Sequence, residues 1–433
     1  MTPQKSFMYA APVTPGREAD MRFLLSRMNR APGVVDSLNP IIPFARFANL
    51  HFARILVVTD LAATDRAVYK LPVTGLPDYL VIMGEIDGDE EHFRANLIAQ
   101  AQDGLRQIFS HCLGIDEHSD LATRMAASRV SSAADYVNWV GRTVQQVREE
   151  EQLRRKLEEF LTGNITRLHG MHPQALYATI KSFALDQLQT RQLTLTPSSP
   201  TPWRWRLKNF FDLIAVPFLL LLLSPLFLLC MPFLLLQLRR WERLDLQVAP
   251  PLDPAHSAEL EALENYESTN QFSIFGSLKP GLLRLWSLRF FLWITGYTAR
   301  HIYTRGGLGR VSTIHFARWV PFDGGQRLLF SSIYDGSLES YMDDFINKVG
   351  FGLNITFSNG IGYPRTRWLL CDGCKDEQVF KRVLRRHQLP THVWYNAHPG
   401  LTAANKHRNS LIRAGINKAS MTDSEVLEWI SLL

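Results

Sequence analysis

The chain has 433 residues, 46% of them apolar, and its 47 basic against 41 acidic side chains leave a formal charge of +6. This length and composition suit two or three folded domains with filled cores and exclude a chain dominated by disorder. The modest positive charge gathers beside the most apolar segment, which points to an anionic membrane surface and away from nucleic acid as a partner, while four cysteines in so long a chain make no disulfide framework.

In chain order, residues 1–48 are expected to form an N-terminal arm with a helix over Arg17 to Met28, ended by Pro32-Gly33. The first residues, Met1-Thr2-Pro3-Gln4-Lys5, lack the apolar core of a secretory signal, so the reading is cytoplasmic. Residues 49–163 form a first unit. His51-Phe52-Ala53-Arg54 opens an apolar, β-rich run, and Asp87-Gly88 leads into a helical stretch that passes Gly104-Leu105 and Phe109-Ser110. Ile115 to Ser132 reads as polar and helical, and Tyr136-Val137-Asn138-Trp139-Val140-Gly141-Arg142-Thr143 closes the unit into a charged helix. A polar helical linker, 164–209, ends in Pro197-Ser198-Ser199-Pro200-Thr201-Pro202.

Leu213 to Leu236 is a run of 24 uncharged residues, long enough as a helix to cross about 30 Å of hydrocarbon. Pro217, Pro225 and Pro232 each remove a backbone donor, so residues 210–238 are expected either as one span or as a hairpin that turns at Ser224-Pro225. The flanks Trp203-Arg204-Trp205-Arg206-Leu207-Lys208 and Arg239-Arg240-Trp241-Glu242-Arg243 are equally basic, which favours the hairpin with both ends on the cytoplasmic face. Residues 239–312 connect onward. Within them Leu282 to Tyr297 mixes Trp286, Phe290, Phe291 and Trp293 with Arg284 and Arg289, as a helix in the headgroup plane or one packed on a neighbouring domain would.

Residues 313–412 repeat the first unit's landmarks in order: His315-Phe316-Ala317-Arg318, Asp335-Gly336, Gly352-Leu353, Phe357-Ser358, and Tyr395-Asn396-Ala397-His398-Pro399-Gly400-Leu401-Thr402. Four ordered blocks point to a duplicated domain. Strands are predicted at Ile314 to Phe322 and Arg327 to Tyr334, with a hairpin at Asp323-Gly324-Gly325. Then follow a helix from Leu338 to Phe351, a strand at Arg367 to Cys371, a helix from Asp376 to His387 and a strand at His392 to Asn396. With the first strand set aside, the order is β-α-β-β-α-β. A tail, 413–433, carries Thr422 and Glu425 at capping-box spacing.

The duplicated pattern, over about half the chain, resembles the dimeric α/β-barrel superfamily, which includes dye-decolourising peroxidases, chlorite-dismutase-like haem proteins and small monooxygenases. The resemblance implies an α+β fold of two tandem ferredoxin-like repeats, packed sheet against sheet, with an intervening hydrophobic membrane segment. Gly84-Glu85-Ile86-Asp87-Gly88 is similar to the G-x-x-D-G motif of the dye-decolourising peroxidases, which implies haem as a cofactor with Asp87 on its distal side. His51, His92, His111, His315, His392 and His398 are then candidate axial ligands. Thr313 to Trp319 with Tyr334-Asp335-Gly336-Ser337 also resembles a group of uncharacterised bacterial membrane-associated proteins.

The candidate site residues are His51, Arg54, Asp87, His315, Arg318 and Asp335. Strand alternation puts His51 with Ala53 on one face and Phe52 with Arg54 on the other, a pattern that a plain core strand does not need. Either Arg54 pairs with Asp87 and Arg318 with Asp335 for structure, while each Asp caps the helix that follows, or these residues face a cleft lined by Tyr136 or Tyr395. In that cleft Arg would hold a carboxylate or haem propionate, and His would act as base or ligand. Cys371-Asp372-Gly373-Cys374 reads as a turn, because no second cysteine pair completes a zinc site. Two functions follow: a membrane-attached oxidoreductase using haem or oxygen on a lipophilic small molecule, or a noncatalytic membrane-bound binding or scaffold protein.

Overall fold

The computed structural model describes residues 2–73, 75–114, 119–248 and 250–433, so part of the stretch expected as helical after Ile115 lies outside the described residues. It is a mixed α+β molecule with two four-stranded antiparallel sheets. The strands are β1 (Gln4–Pro12), β2 (Leu50–Val58), β3 (Tyr79–Asp87), β4 (Ala134–Val137), β5 (Thr269–Ser277), β6 (Ile314–Phe322), β7 (Arg327–Asp335) and β8 (Val393–Asn396). The principal helices are α1 (Glu18–Ser26), α2 (Glu90–Phe109), α3 (Val144–Gly163), α4 (Pro173–Gln189), α5 (Trp203–Leu244), α6 (Leu282–His301), α7 (Leu338–Phe357), α8 (Glu377–His387), α9 (Ala403–Asn417) and α10 (Asp423–Ile430).

Each sheet takes its last strand from the other half of the chain. Sheet one is ordered β1-β3-β2-β8 and sheet two β4-β6-β7-β5. Tyr395 in β8 lies opposite Ala53, while Tyr136 in β4 lies opposite Ala317, so the exchange has the same register in both directions. All nine residues of β2 are buried. The reason is that each sheet is covered twice. Phe7, Tyr9 and Ile55 face a core under α1 and α2, while Met8, Leu56 and Met83 face Phe275, Val320 and Leu329 of the other sheet. A strand covered on both faces is a continuous apolar run, which is how β2, β3, β6 and β7 read.

The first strand of each sheet lies in a segment expected to be something else. β1 falls within the arm at 1–48, and β5 within the connector at 239–312. The second half therefore reads β5-α6-β6-β7-α7-α8-β8, so the strand Ile314–Phe322 belongs inside the pattern and the helix before it is α6. The strand expected at Arg367 to Cys371 is reduced to Thr366–Arg367 paired with Cys371–Asp372. Apolar alternation in so short a ribbon is a turn signal and carries no sheet register.

α5 is a correction to the hairpin. It runs unbroken for 42 residues through Pro217, Pro225 and Pro232. Each proline removes one intrahelical bond, yet the remaining ladder still satisfies more backbone groups than a turn among apolar side chains would. The helix is long and apolar enough to cross a membrane, and none of its most apolar window is buried. Both its ends are tied to the folded body. Asp212 pairs with Arg300 at 3.1 Å and the Tyr297 hydroxyl donates to the Leu213 carbonyl, both from α6. At the far end Glu242 accepts from Thr366 Oγ1 and the Leu369 amide, while just beyond the helix Asp245 accepts from Lys279 and Arg284. α6 itself buries Arg284, Leu288, Leu292 and Ala299 and leaves Leu282 and Trp286 exposed.

The segment expected as a linker supplies α4, which joins α3, α9 and α10 in a separate helical core around Leu153, Ile180, Ile412 and Trp429. The capping box at Thr422 and Glu425 forms as the spacing predicts.

Candidate functional site

A β-bulge sets the geometry. The ladder between β2 and β3 passes from Leu50 opposite Ile86 to Phe52 opposite Glu85 and skips His51; between β6 and β7 it skips His315 in the same way. A bulge re-aims its extra residue. Both imidazoles thus leave the alternating faces and meet near the junction of the two sheets, where Phe52 lies against His315 and Phe316 against His51.

His51 Nε2 lies 2.9 Å from Asp87 Oδ1, and His315 Nε2 lies 2.7 Å from Asp335 Oδ1. The second oxygen of each Asp accepts a backbone amide at the start of a distant helix, Val144 of α3 for Asp87 and Ala403 of α9 for Asp335. Asp87 and Asp335 are therefore not caps of the helices that follow them. Asp89 and Ser337 fill those positions. The Asp87 and Asp335 carboxylates instead clasp the helices that leave the exchanged strands, which joins strand, bulge and helix at one point. Gly88 and Gly336 each turn the chain after the Asp with a φ near +90°, a region that favours glycine.

The expected Arg–Asp pairs do not form, because alternation carries Arg54 and Arg318 to the inner faces. Each reaches across to the opposite sheet. Arg318 donates to the carbonyls of Phe7 and Gly84, and Arg54 to those of Phe272 and Ser332, which are the corresponding positions in β5 and β7. The halves differ in two respects: Arg318 also pairs with the buried carboxylate of Glu85, where the matching position is Ile333, and Arg54 also donates to Ser273 Oγ. Burial, with Arg318 nearby, brings Arg54 down to about 10 despite the attraction of Glu85. Tyr136 and Tyr395 do not line the cleft; they pack in the two outer cores.

Beyond the clasps the centre is asymmetric. His51 Nδ1 lies 3.2 Å from His398 Nε2, and His315 Nδ1 lies 3.3 Å from Lys406 Nζ. A carboxylate can only accept, so each neutral ring donates from Nε2 and accepts at Nδ1. His398 must then donate from Nε2, and its buried Nδ1 has no partner among the described residues. Lys406 is the residue that the sequence patterns miss, and His398 stands only among six candidate axial ligands. The signal is available in the alignment of the two halves, where Lys406 stands opposite buried Val147 and His398 opposite Trp139. A lysine at a buried apolar position needs a reason.

Lys406 lies 5.1 Å from the Phe52 ring centre, and burial together with the charge of Arg142 lowers its amine to about 7 against the pull of Asp335. Burial and Lys406 lower His315, and burial drives His398 well below the ordinary imidazole value. Asp335 stays below the usual carboxylate range although burial opposes this, because His315, the Ala403 amide and Thr269 stabilise its charge. The chemical capacity of the centre is an amine that changes charge near neutrality, at the wall of a cleft of about 40 Å³.

Haem does not fit this centre. Small-molecule pockets run to several hundred Å³, and a cleft of 40 Å³ holds no porphyrin. Both ring nitrogens of His51 and of His315 already have partners. Gly84 in the G-x-x-D-G string has a packing role, since a Cβ there would lie 2.3 Å from the Phe52 carbonyl oxygen. The cysteine pair is a turn: both thiols are free, and Cys374 is buried with its Sγ donating to the Gly350 carbonyl. No group of three or more His, Cys, Asp or Glu able to hold a metal occurs among the described residues.

A second concavity lies under α5. It has a volume of about 380 Å³ and is walled by Phe227, Met231 and Leu235 of α5, Phe290 and Phe291 of α6, and Phe351 and Ile355 of α7. Glu242, Asp245 and Arg284 mark one end, all three held in the network that anchors the helix. The cavity and the histidine cleft share no lining residue. Comparison with protein-family models, with curated proteins and with solved structures finds no match.

Proposed function

We propose that this is a membrane-attached binding protein that takes a lipophilic molecule, or one acyl chain, from the bilayer into the cavity under α5. One observation carries the reading: an apolar cavity of about 380 Å³ is bounded by the helix whose other faces are exposed hydrocarbon side chains. Its volume is in the range of small-ligand sites. Its charged groups, Glu242, Asp245 and Arg284, are already engaged at the anchored end, which supports binding over an oxidoreductase reaction. The attachment is in the membrane plane, with α5 docked lengthwise along α6 and both halves on one side. The basic flanks support the cytoplasmic side. We infer further that the two sheets are tandem ferredoxin-like copies of the dimeric α/β-barrel type. The matched bulges, clasps and arginine contacts support this, and the exchanged strands make it a variant in which neither copy closes alone.

The test is ligand capture. Protein purified in detergent and examined by native mass spectrometry should retain a lipid, and cis-parinaric acid should bind one per chain with energy transfer from Trp241 and Trp368. Ser287→Trp, which fills the cavity, should weaken that binding at least tenfold. Loss of both retention and energy transfer in the unsubstituted protein would overturn the proposal.

A further inference from the structure

The cleft at the histidine centre holds two cationic groups without an acid to match them. Lys406 and Arg142 both line it and are only 7% and 8% exposed. Lys406 donates to His315 Nδ1 and lies over Phe52; Arg142 donates to Ser410 Oγ at 2.8 Å and stacks on Trp139 at 4.4 Å. Neither forms an ion pair with a carboxylate among the described residues, although the molecule has acids close by. Asp87 and Asp335 are each committed to a histidine and a helix amide. Glu150, which acts on Arg142 from α3, lies 3.6 Å from Arg413. The polar neighbours are also engaged: Asn138 donates to the Ile314 carbonyl, and Gln4 exchanges bonds with the backbone of Arg142 and Gly141.

Two like charges facing one water-poor cleft repel each other, and an anion seated between them removes that cost. We propose that the cleft binds a small monovalent oxyanion of the formate, acetate or bicarbonate class, held between the Lys406 amine in its charged form and the Arg142 guanidinium. Size sets the class. A cleft of about 40 Å³ has room for three or four non-hydrogen atoms, at roughly one water-sized group per 10–15 Å³. A planar carboxylate also matches the fork of an arginine. Because the free amine titrates near neutrality, binding above that pH takes up a proton, with Arg142 the charged group that opposes the amine's charge, Asp335 the one that favours it, and His51 and His315 the other titratable groups that line the cleft. The site is separate from the apolar cavity, and its fate does not depend on lipid binding.

The full chain in detergent is titrated with sodium formate, sodium acetate and, at matched ionic strength, sodium gluconate, which has the same head group on a body too large for the cleft. Formate and acetate should raise the melting temperature and give saturable calorimetric heats at pH 8 that depend on the ionisation enthalpy of the buffer, approaching one proton per anion; gluconate should do neither. Lys406→Met and Arg142→Gln should each weaken formate binding at least tenfold. An equal response to all three anions, or a formate response untouched by both substitutions, overturns the proposal. If Lys406→Met does not fold, the calorimetry of the unsubstituted protein decides alone, and the absence of a saturable formate heat counts against the site.

Discussion

Lys406 shows how far a single position can govern the response to pH. Its amine titrates near 7 in the folded protein and near 10.5 in a free chain. Between those values the unfolded state binds the extra proton, so stability should rise as pH rises through that window, by up to about 1.4 kcal/mol per unit for one proton. Lys406→Met should flatten the rise, as chemical denaturation at pH 7, 8 and 9 would reveal; an unchanged slope would place the proton elsewhere. The two buried arginines make a second comparison. Arg318→Met leaves Glu85 buried without its partner and should cost about 3–5 kcal/mol, whereas Arg54→Met removes contacts to two carbonyls and one hydroxyl and should cost less. Adding Glu85→Ile, the residue type that stands at position 333, should recover much of the Arg318→Met loss. Urea midpoints of these three variants and of the unsubstituted protein test the ordering.

The exchanged strands make the elements interdependent. β8 completes the sheet of the first half and β4 that of the second, so neither half has a finished sheet without the other. A single calorimetric transition, with van't Hoff and calorimetric enthalpies in agreement, is expected for the two sheets; two resolved transitions would contradict this. Much of this architecture was legible. The paired landmarks mark the bulges, the glycine turns and the closing strands, and β6, β7, α8 and β8 fall within a residue or two of their predicted ends. Local patterns could not reveal which strand pairs with which, because an exchange between halves leaves periodicity unchanged. Gly104 and Gly352 show the same limit. A Cβ at Gly104 would lie 2.0 Å from the Ile41 carbonyl oxygen, whereas at Gly352 nothing lies within 4 Å, so one matched glycine is required and the other is not. The bulge hid the site for a similar reason: alternation assigns His51 a face that its extra residue abolishes.

On the scale of the whole molecule, the proposed attachment rests on α5 being held to one body near both ends, at Asp212 and at Glu242. On that proposal both ends stay on one side of the membrane. Single-cysteine variants at Gln192→Cys and Ala258→Cys should therefore both react, or both be protected, when an impermeant maleimide is added to one side of a liposome. Labelling of one alone would mean a crossing helix. Cys230, exposed midway along α5, should react in detergent and be shielded in lipid, since the surrounding leucines would then lie in hydrocarbon.

The strand exchange also sets a timetable. Val57 in β2 and His392 beside β8 are 335 residues apart in sequence yet bonded to each other. At ribosomal speeds of about 5–20 residues per second, the outer edge of β2 waits roughly 20 s to a minute for its neighbour. During that interval α5 and its exposed leucines are made as well. The nascent chain thus carries an open strand edge and a greasy helix together, a pairing prone to illicit association. On the proposed attachment, prompt capture of α5 by lipid would separate the two hazards and give the bilayer a part in assembly. Because the closing strand is made so late, a prematurely ended chain keeps its open edge.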